Sequence, residues 1–156
     1  MTLLEVNDLH VTYRGTPDVE AVRGVSFTVE EGETLGIVGE SGCGKTTLAQ
    51  AIMGSLPDNG EITGGEILFK GEDITHLSNS QRREIRWEEM SMISQSAMNS
   101  LDPVYRVKDQ IREAIQEHRD MSDQESYERA RELMELVGLD ADRVEDYPHQ
   151  LSGGMR

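Results

Sequence analysis

Positive charge is scarce in this chain: 15 Lys or Arg stand against 30 Asp or Glu among 156 residues, a formal net charge of −15. A nucleic-acid-binding face needs clustered cations to replace phosphate counterions, so that class of partner is set aside. Binding to anionic lipid is disfavoured on the same ground. Lysine is rarer still, confined to Lys45, Lys70 and Lys108. An acidic, lysine-poor surface with few aromatics suits a protein working in high salt, where self-repulsion is screened. Cys43 is the single cysteine, which excludes an intrachain disulfide and a cysteine-based metal cluster. His10, His76, His118 and His149 show no metal-ligand pairing. The segment Met1–Asp8 lacks a basic stretch and is broken by acids, unlike a signal peptide, and no apolar run is long enough to span a bilayer. These absences predict a soluble cytoplasmic protein, one domain or a large piece of one, with enough apolar residues for a core.

Hydrophobic patterning gives the elements. Leu4, Val6, Leu9, Val11 and Tyr13 alternate with polar residues as in a half-buried strand. Arg14–Asp18 reads as a turn, and a second strand is predicted through Val22 to Val29. Leu35-Gly36-Ile37-Val38 is a short apolar run, predicted to be a parallel strand buried on both faces. A helix should start at Lys45, carry Leu48, Ile52 and Met53 on one face and stop near Gly54. Glu66–Lys70 and Met90–Ile93 read as further strands. Ser78–Gln81 and Ser122–Glu125 have capping-box spacing; the first should open a helix through about Trp87, the second one bearing Tyr127, Ala130, Leu133, Met134 and Val137 and stopping at Gly138. Residues 107–148 read as mostly helical.

One stretch carries chemistry unaided. Gly39-Glu40-Ser41-Gly42-Cys43-Gly44-Lys45-Thr46 fits the phosphate-loop pattern G-x-x-x-x-G-K-[ST] throughout. Glycines let backbone N–H groups approach phosphate oxygens with no Cβ in the way. The helix that follows offers its positive end to the same anion. Lys45 can reach the outer phosphates, and the Thr46 hydroxyl is placed for Mg²⁺. Residues Gly39 to Thr47 are thus the candidate ATP-binding set, with Lys45 also a candidate catalytic residue. Cys43 occupies a variable position and reads as filler rather than nucleophile.

Far downstream stands Leu151-Ser152-Gly153-Gly154-Met155-Arg156. With Glu33–Gly42, Thr63–Ile67, Ser100-Leu101-Asp102-Pro103-Val104 and Tyr147-Pro148-His149-Gln150, it makes the whole chain resemble the N-terminal part of an ABC transporter ATP-binding subunit of the dipeptide/oligopeptide importer type. The fold this implies is α/β: a partial P-loop NTPase core with an antiparallel β edge over residues 1–106, then a helical ABC-type subdomain over 107–156. The resemblance implies that Tyr13 stacks on adenine, against the alternative of an edge-strand tyrosine packing on its neighbour. Gln95 would be the glutamine that meets Mg²⁺ or the attacking water, making Thr46 and Gln95 the metal contacts and Gln95 a second catalytic candidate. Around it, Ser94-Gln95-Ser96-Ala97-Met98 lacks the Phe and acidic neighbours frequent at that place in the family. Ser152, Gly153 and Gly154 match the signature that caps the γ-phosphate held by a second subunit, packed head to tail.

The implied cofactors are ATP and Mg²⁺. The implied partners are a second ATP-binding subunit, in a homo- or heterodimer, transmembrane permease subunits and, indirectly, an external solute-binding protein, with the chain peripheral on the inner face of the cell membrane. The family's catalytic glutamate and its γ-phosphate histidine follow the signature. A lost general base commonly costs about 10²–10⁴ in rate, so these 156 residues are expected to bind ATP but turn it over poorly, and to be marginally stable as an isolated sheet. A soluble non-transport ABC ATPase and a nucleotide-binding fragment without hydrolysis are the competing readings.

Overall fold

The spacing Leu4, Val6, then Leu9, Val11 changes parity midway, and the backbone shows how. In the computed structural model, which describes residues 1–93 and 100–151 and leaves aside the side chains of Asn79 and Trp87, Thr2–Tyr13 is one continuous strand, β1. Its register slips between Val6 and Leu9 against β2 (Val19–Glu30) and between Asn7 and His10 against β3 (Gly60–Phe69). At the slip Asp8 takes a left-handed φ of 46°. This bulge turns Val6, Leu9 and Val11 all to the core, where each is fully buried. The flanking strands answer with glycines of positive φ, Gly24 at 67° and Gly65 at 81°. A Cβ on Gly65 would lie 2.3 Å from the Asp8 carbonyl oxygen and 2.5 Å from that of Asn7. Three strands are therefore kinked together, and only glycine fits where β3 crosses the bulge.

The chain forms two compact units, Met1–Ser91 and Met92–Arg156. In the first, the antiparallel sheet runs β2-β1-β3-β4, with β4 the short Glu72–Asp73. Helix α1 (Lys45–Met53) buries Leu48 and Ala51 against Val6, Leu9, Val11, Val22 and Ile67, and Ile85 of α2 (Asn79–Glu88) packs on the same core. The capping box predicted at Ser78 and Gln81 is formed. Two predicted strands are not. Residues 35–38 adopt no strand, and Leu35, Ile37 and Val38 are exposed; the same holds for Met92 and Ile93 at the end of the 90–93 run. A parallel strand exists only by pairing with neighbours, and no described residue pairs with either segment. Apolar runs alone identified the residue type, not the partner.

In the second unit α3 (Val107–His118) and α4 (Asp123–Leu136) pack around Val107, Ala130, Met134, Val144 and Leu151. Short 3₁₀ turns at Ala141–Glu145 and Pro148–Gln150 close that core. The predicted face of α4 holds at Ala130 and Met134, but Val137 lies past the helix end and is 68% exposed. Ser122 caps α4: its Oγ accepts from the Glu125 N–H, and Glu125 Oε2 accepts from the Ser122 N–H at 2.8 Å. Ser122→Ala should cost about 1 kcal/mol, read as a lowered melting temperature of this unit, since the Glu125 N–H at the helix start loses its acceptor. An unchanged melting curve would contradict that assignment. Among the described residues no helix is long and apolar enough to cross a membrane.

Candidate functional site

The phosphate-loop pattern closes into a loop that backbone geometry alone can explain. Gly42 and Gly44 take positive φ, 81° and 96°, so the chain turns back on itself and delivers Lys45 to the first position of α1. Gly44 also lies hard against β2, where an added Cβ would be 2.3 Å from the Ala21 carbonyl oxygen. The Cys43 N–H donates to the Glu40 carbonyl at 3.3 Å and the Leu48 N–H to that of Gly44 at 2.8 Å. No side chain caps α1 and no acid occupies its first turn, so its leading N–H groups and positive end face the loop unscreened. Lys45 Nζ spans the loop, donating at 2.7 Å to both the Gly39 and the Glu40 carbonyls, with Cys43 Sγ at 3.4 Å. Glu40, Ser41, Cys43 and Thr46 are exposed beside it. A cationic head, open N–H groups and a glycine cradle are a donor set suited to a polyphosphate; the exposed Thr46 hydroxyl supplies an oxygen ligand of the kind Mg²⁺ takes.

Tyr13 reaches this helix from the sheet. It ends β1, a strand flanked on both sides, and its hydroxyl lies 3.1 Å from Thr47 Oγ1. Its ring rests over Gly60, where a Cβ would stand 3.0 Å from Tyr13 Cε1. Thr47 is buried, at 8% exposure, and its hydroxyl partners Tyr13 across the sheet–helix interface. The structure thus brings Tyr13 and the loop's Gly39–Thr47 onto one unit.

The other end of α1 holds a feature that residue spacing did not single out. Arg82 of α2 is 7% exposed, and its guanidinium donates to the carbonyls of Ile74 (2.7 Å), Thr75 (2.9 Å) and Ile52 (3.4 Å). Arg86, one turn on, donates to the Met53 carbonyl at 2.7 Å and to that of Gly54. Gly54, at φ 61°, ends α1 and leaves room for Arg82; a Cβ there would sit 2.0 Å from a guanidinium nitrogen. Burial, with Arg86 alongside, pushes the Arg82 guanidinium below its ordinary value. The carbonyl end of a helix is the place where such cations are favoured. Arginines four apart on a polar helix read as a solvated face; only the fold shows what they meet.

Gln95, Ser152, Gly153 and Gly154 lie outside the described residues. What leads to the last three is well built. Leu151 is 2% exposed in the second unit's core. Glu145 gathers Lys108 (2.7 Å), Arg106 (3.3 Å) and the Tyr127 hydroxyl (3.0 Å), tying α3 and α4 to the segment before the signature. The Val107 N–H donates to the Asp146 carbonyl at 3.0 Å, and Arg106 lies 5.2 Å from the Tyr147 ring centroid. The Lys108 ammonium, together with the Tyr127 and Arg106 donors, holds the Glu145 carboxyl below its ordinary 4.5. A depressed carboxylate contributes stability above its unfolded value that is lost as pH falls through the folded one. The melting difference between the wild type and Glu145→Gln should therefore be full above pH 4.5 and shrink below it. A difference independent of pH would refute the ion-pair account.

Comparison with known proteins gives the family. A family model described as "ABC transporter" matches residues 22–156. The dipeptide transport ATP-binding protein DppD of Bacillus subtilis (strain 168) is 47% identical over 160 residues, covering 99% of this chain and 47% of the relative. The oligopeptide transport ATP-binding protein OppD of the same organism is 46% identical, covering 99% of this chain and 44% of the relative. The chain therefore spans about half the length of these curated relatives. Among solved structures, the dimeric bacterial ABC transporter cassette MJ0796 superposes with a TM-score of 0.81 at 26% identity, over 98% of this chain and 65% of that one. A post-hydrolysis dimer of MJ0796 bound to ADP and Pi gives 0.82 at 25% identity, with the same shares covered.

Proposed function

The chain belongs to the ABC transporter family, and from that premise we propose that it is the ATP-binding, energy-coupling part of an importer for peptides or related small solutes. The observation that carries this reading is the loop of Gly39–Thr46: Lys45 Nζ held across it at 2.7 Å from two carbonyls, above the open N–H groups of α1. ATP, when bound, supplies the phosphate anhydride and the charge around which two such subunits can close. In this proposal Lys45 and the loop N–H groups hold the outer phosphates, and Thr46 with Gln95 holds Mg²⁺. Ser152, Gly153 and Gly154 meet the phosphate bound by the other subunit of a head-to-tail pair. The dimeric MJ0796 cassettes support pairing, and the names of DppD and OppD support the transport role. Permease subunits would hold the protein at the cytoplasmic face, with an external binding protein presenting the solute. Tyr13 would offer its ring to adenine while its hydroxyl stays on Thr47.

The test is a titration with a fluorescent ATP analogue in Mg²⁺, with phosphate release followed in the same samples so that binding and turnover are read separately. Saturable binding abolished by excess ATP supports the reading, and no binding refutes it. Recovery of permease subunits with the tagged protein from detergent-solubilised membranes tests the transport role.

A further inference from the structure

We infer that Arg82 and Arg86 are positioning residues for the phosphate loop, acting along α1 from its far end. This rests on the nucleotide-binding reading above. Helix α1 has nine residues, a rod of about 13 Å, with the phosphate loop at one end and the two guanidiniums at the other. A rod that short moves as one piece, so its axial position is set by whatever holds its ends. At the loop end the grip is backbone contact of Gly44 with Ala21, and one turn on the Tyr13–Thr47 hydroxyl pair. At the far end it is the guanidinium bonds to the Ile52, Met53 and Gly54 carbonyls.

Arg82 does more than cap. The Ile74 and Thr75 carbonyls it holds belong to a turn locked onto β3, where the Ile74 N–H donates to the Ile67 carbonyl at 2.9 Å and the Ile67 N–H to Thr75 Oγ1 at 2.8 Å. The guanidinium therefore links the sheet to the last turn of α1 in one planar group. Arg86 adds the Met53 and Gly54 carbonyls, fixing the terminal turn against α2. Planar forks with several fixed donors can do this; a lysine, with one head group, cannot satisfy the same carbonyls together. Gly54 is the matching concession on the helix side, since any Cβ would displace Arg82.

The experiment uses the full chain with Arg86→Met, Arg86→Lys and Arg82→Lys, each held well below its own melting temperature. Arg86 is half-buried, so its variants retain most of the core if Arg82 cannot be changed without unfolding. Expected for Arg86→Met is roughly tenfold weaker binding of a fluorescent MgATP analogue, the scale that small misplacements of positioned groups produce. Amide hydrogen exchange at Gly42–Thr47 should accelerate in the same variant while exchange in β1 stays at the wild-type rate. Arg86→Lys, keeping one donor head, should recover part of both effects. A folded Arg86→Met with wild-type affinity, or with wild-type exchange in the loop, overturns the inference. If wild type itself binds no nucleotide, the proposed function fails, and accelerated loop exchange in Arg86→Met would still establish the mechanical link.

Discussion

Lys45→Ala is expected to weaken MgATP binding by at least about a hundredfold while leaving the fold intact. Charge-assisted hydrogen bonds contribute about 1.5–3 kcal/mol each, and 1.4 kcal/mol is a factor of ten, so losing an ammonium that serves two phosphates reaches that range. The bonds Lys45 makes within the protein go to the Gly39 and Glu40 carbonyls of an exposed loop, so the melting temperature should barely move. Lys70→Ala is the matched control. It removes the same charge from a molecule of net charge −15, but from a half-exposed lysine paired with Glu89, a surface pairing worth about 0–1 kcal/mol. Its affinity should equal that of wild type. If the two variants titrate alike, what matters is net charge and not the Lys45 ammonium, and the site is wrongly placed.

Gly65→Ala is expected to cost about 3–5 kcal/mol, a large share of the roughly 5–15 kcal/mol that holds an ordinary domain folded. Two penalties add there. A left-handed alanine costs roughly 1–2 kcal/mol, and its Cβ would lie 2.3 Å from a carbonyl of the central strand. That carbonyl is main chain of a strand paired along its length on both sides, and cannot swing aside as a side chain would. Gly32→Ala separates the two terms, because Gly32 has φ +78° with nothing within 4 Å of a Cβ. It should lose only the conformational part, about 1–2 kcal/mol. Thermal melts of both variants decide the matter: equal losses would mean the bulge yields and the close approach is harmless.

Much of this was legible in residue order. Ser78 with Gln81 and Ser122 with Glu125 fixed two helix starts, because a capping box is a local device that needs no distant partner. The phosphate loop was legible for the same reason, its glycines and lysine being consecutive. Leu4 to Tyr13 reads as one alternating strand; the bulge at Asp8, and its answer in Gly24 and Gly65, needed the strand pairing to be known. What could not be read was everything set by a remote neighbour. Leu35–Val38 has the residues of a buried strand but no described strand beside it. Arg82 has the look of solvent-facing charge, yet it is buried against the end of a helix thirty residues upstream of it. Thr47 sits one residue past the loop pattern, and only the fold shows its hydroxyl turned to Tyr13.

The strand order has a bearing on how the site comes into being. Neighbours β1 and β2 are joined by a short turn and can zip together locally, whereas β3 pairs with β1 only after Tyr13 and Gly60 meet across the intervening chain. The residues proposed to hold phosphate, from Gly39 to Thr47, lie inside the loop which that meeting closes. Ring closure of this length is entropically slow compared with a hairpin, and long-range pairing sets the pace in sheets of this kind. During refolding, the hairpin should therefore appear well before any capacity to hold a nucleotide. Competence to bind would arrive in a single late step, when β3 docks and the phosphate helix is trapped between its anchors.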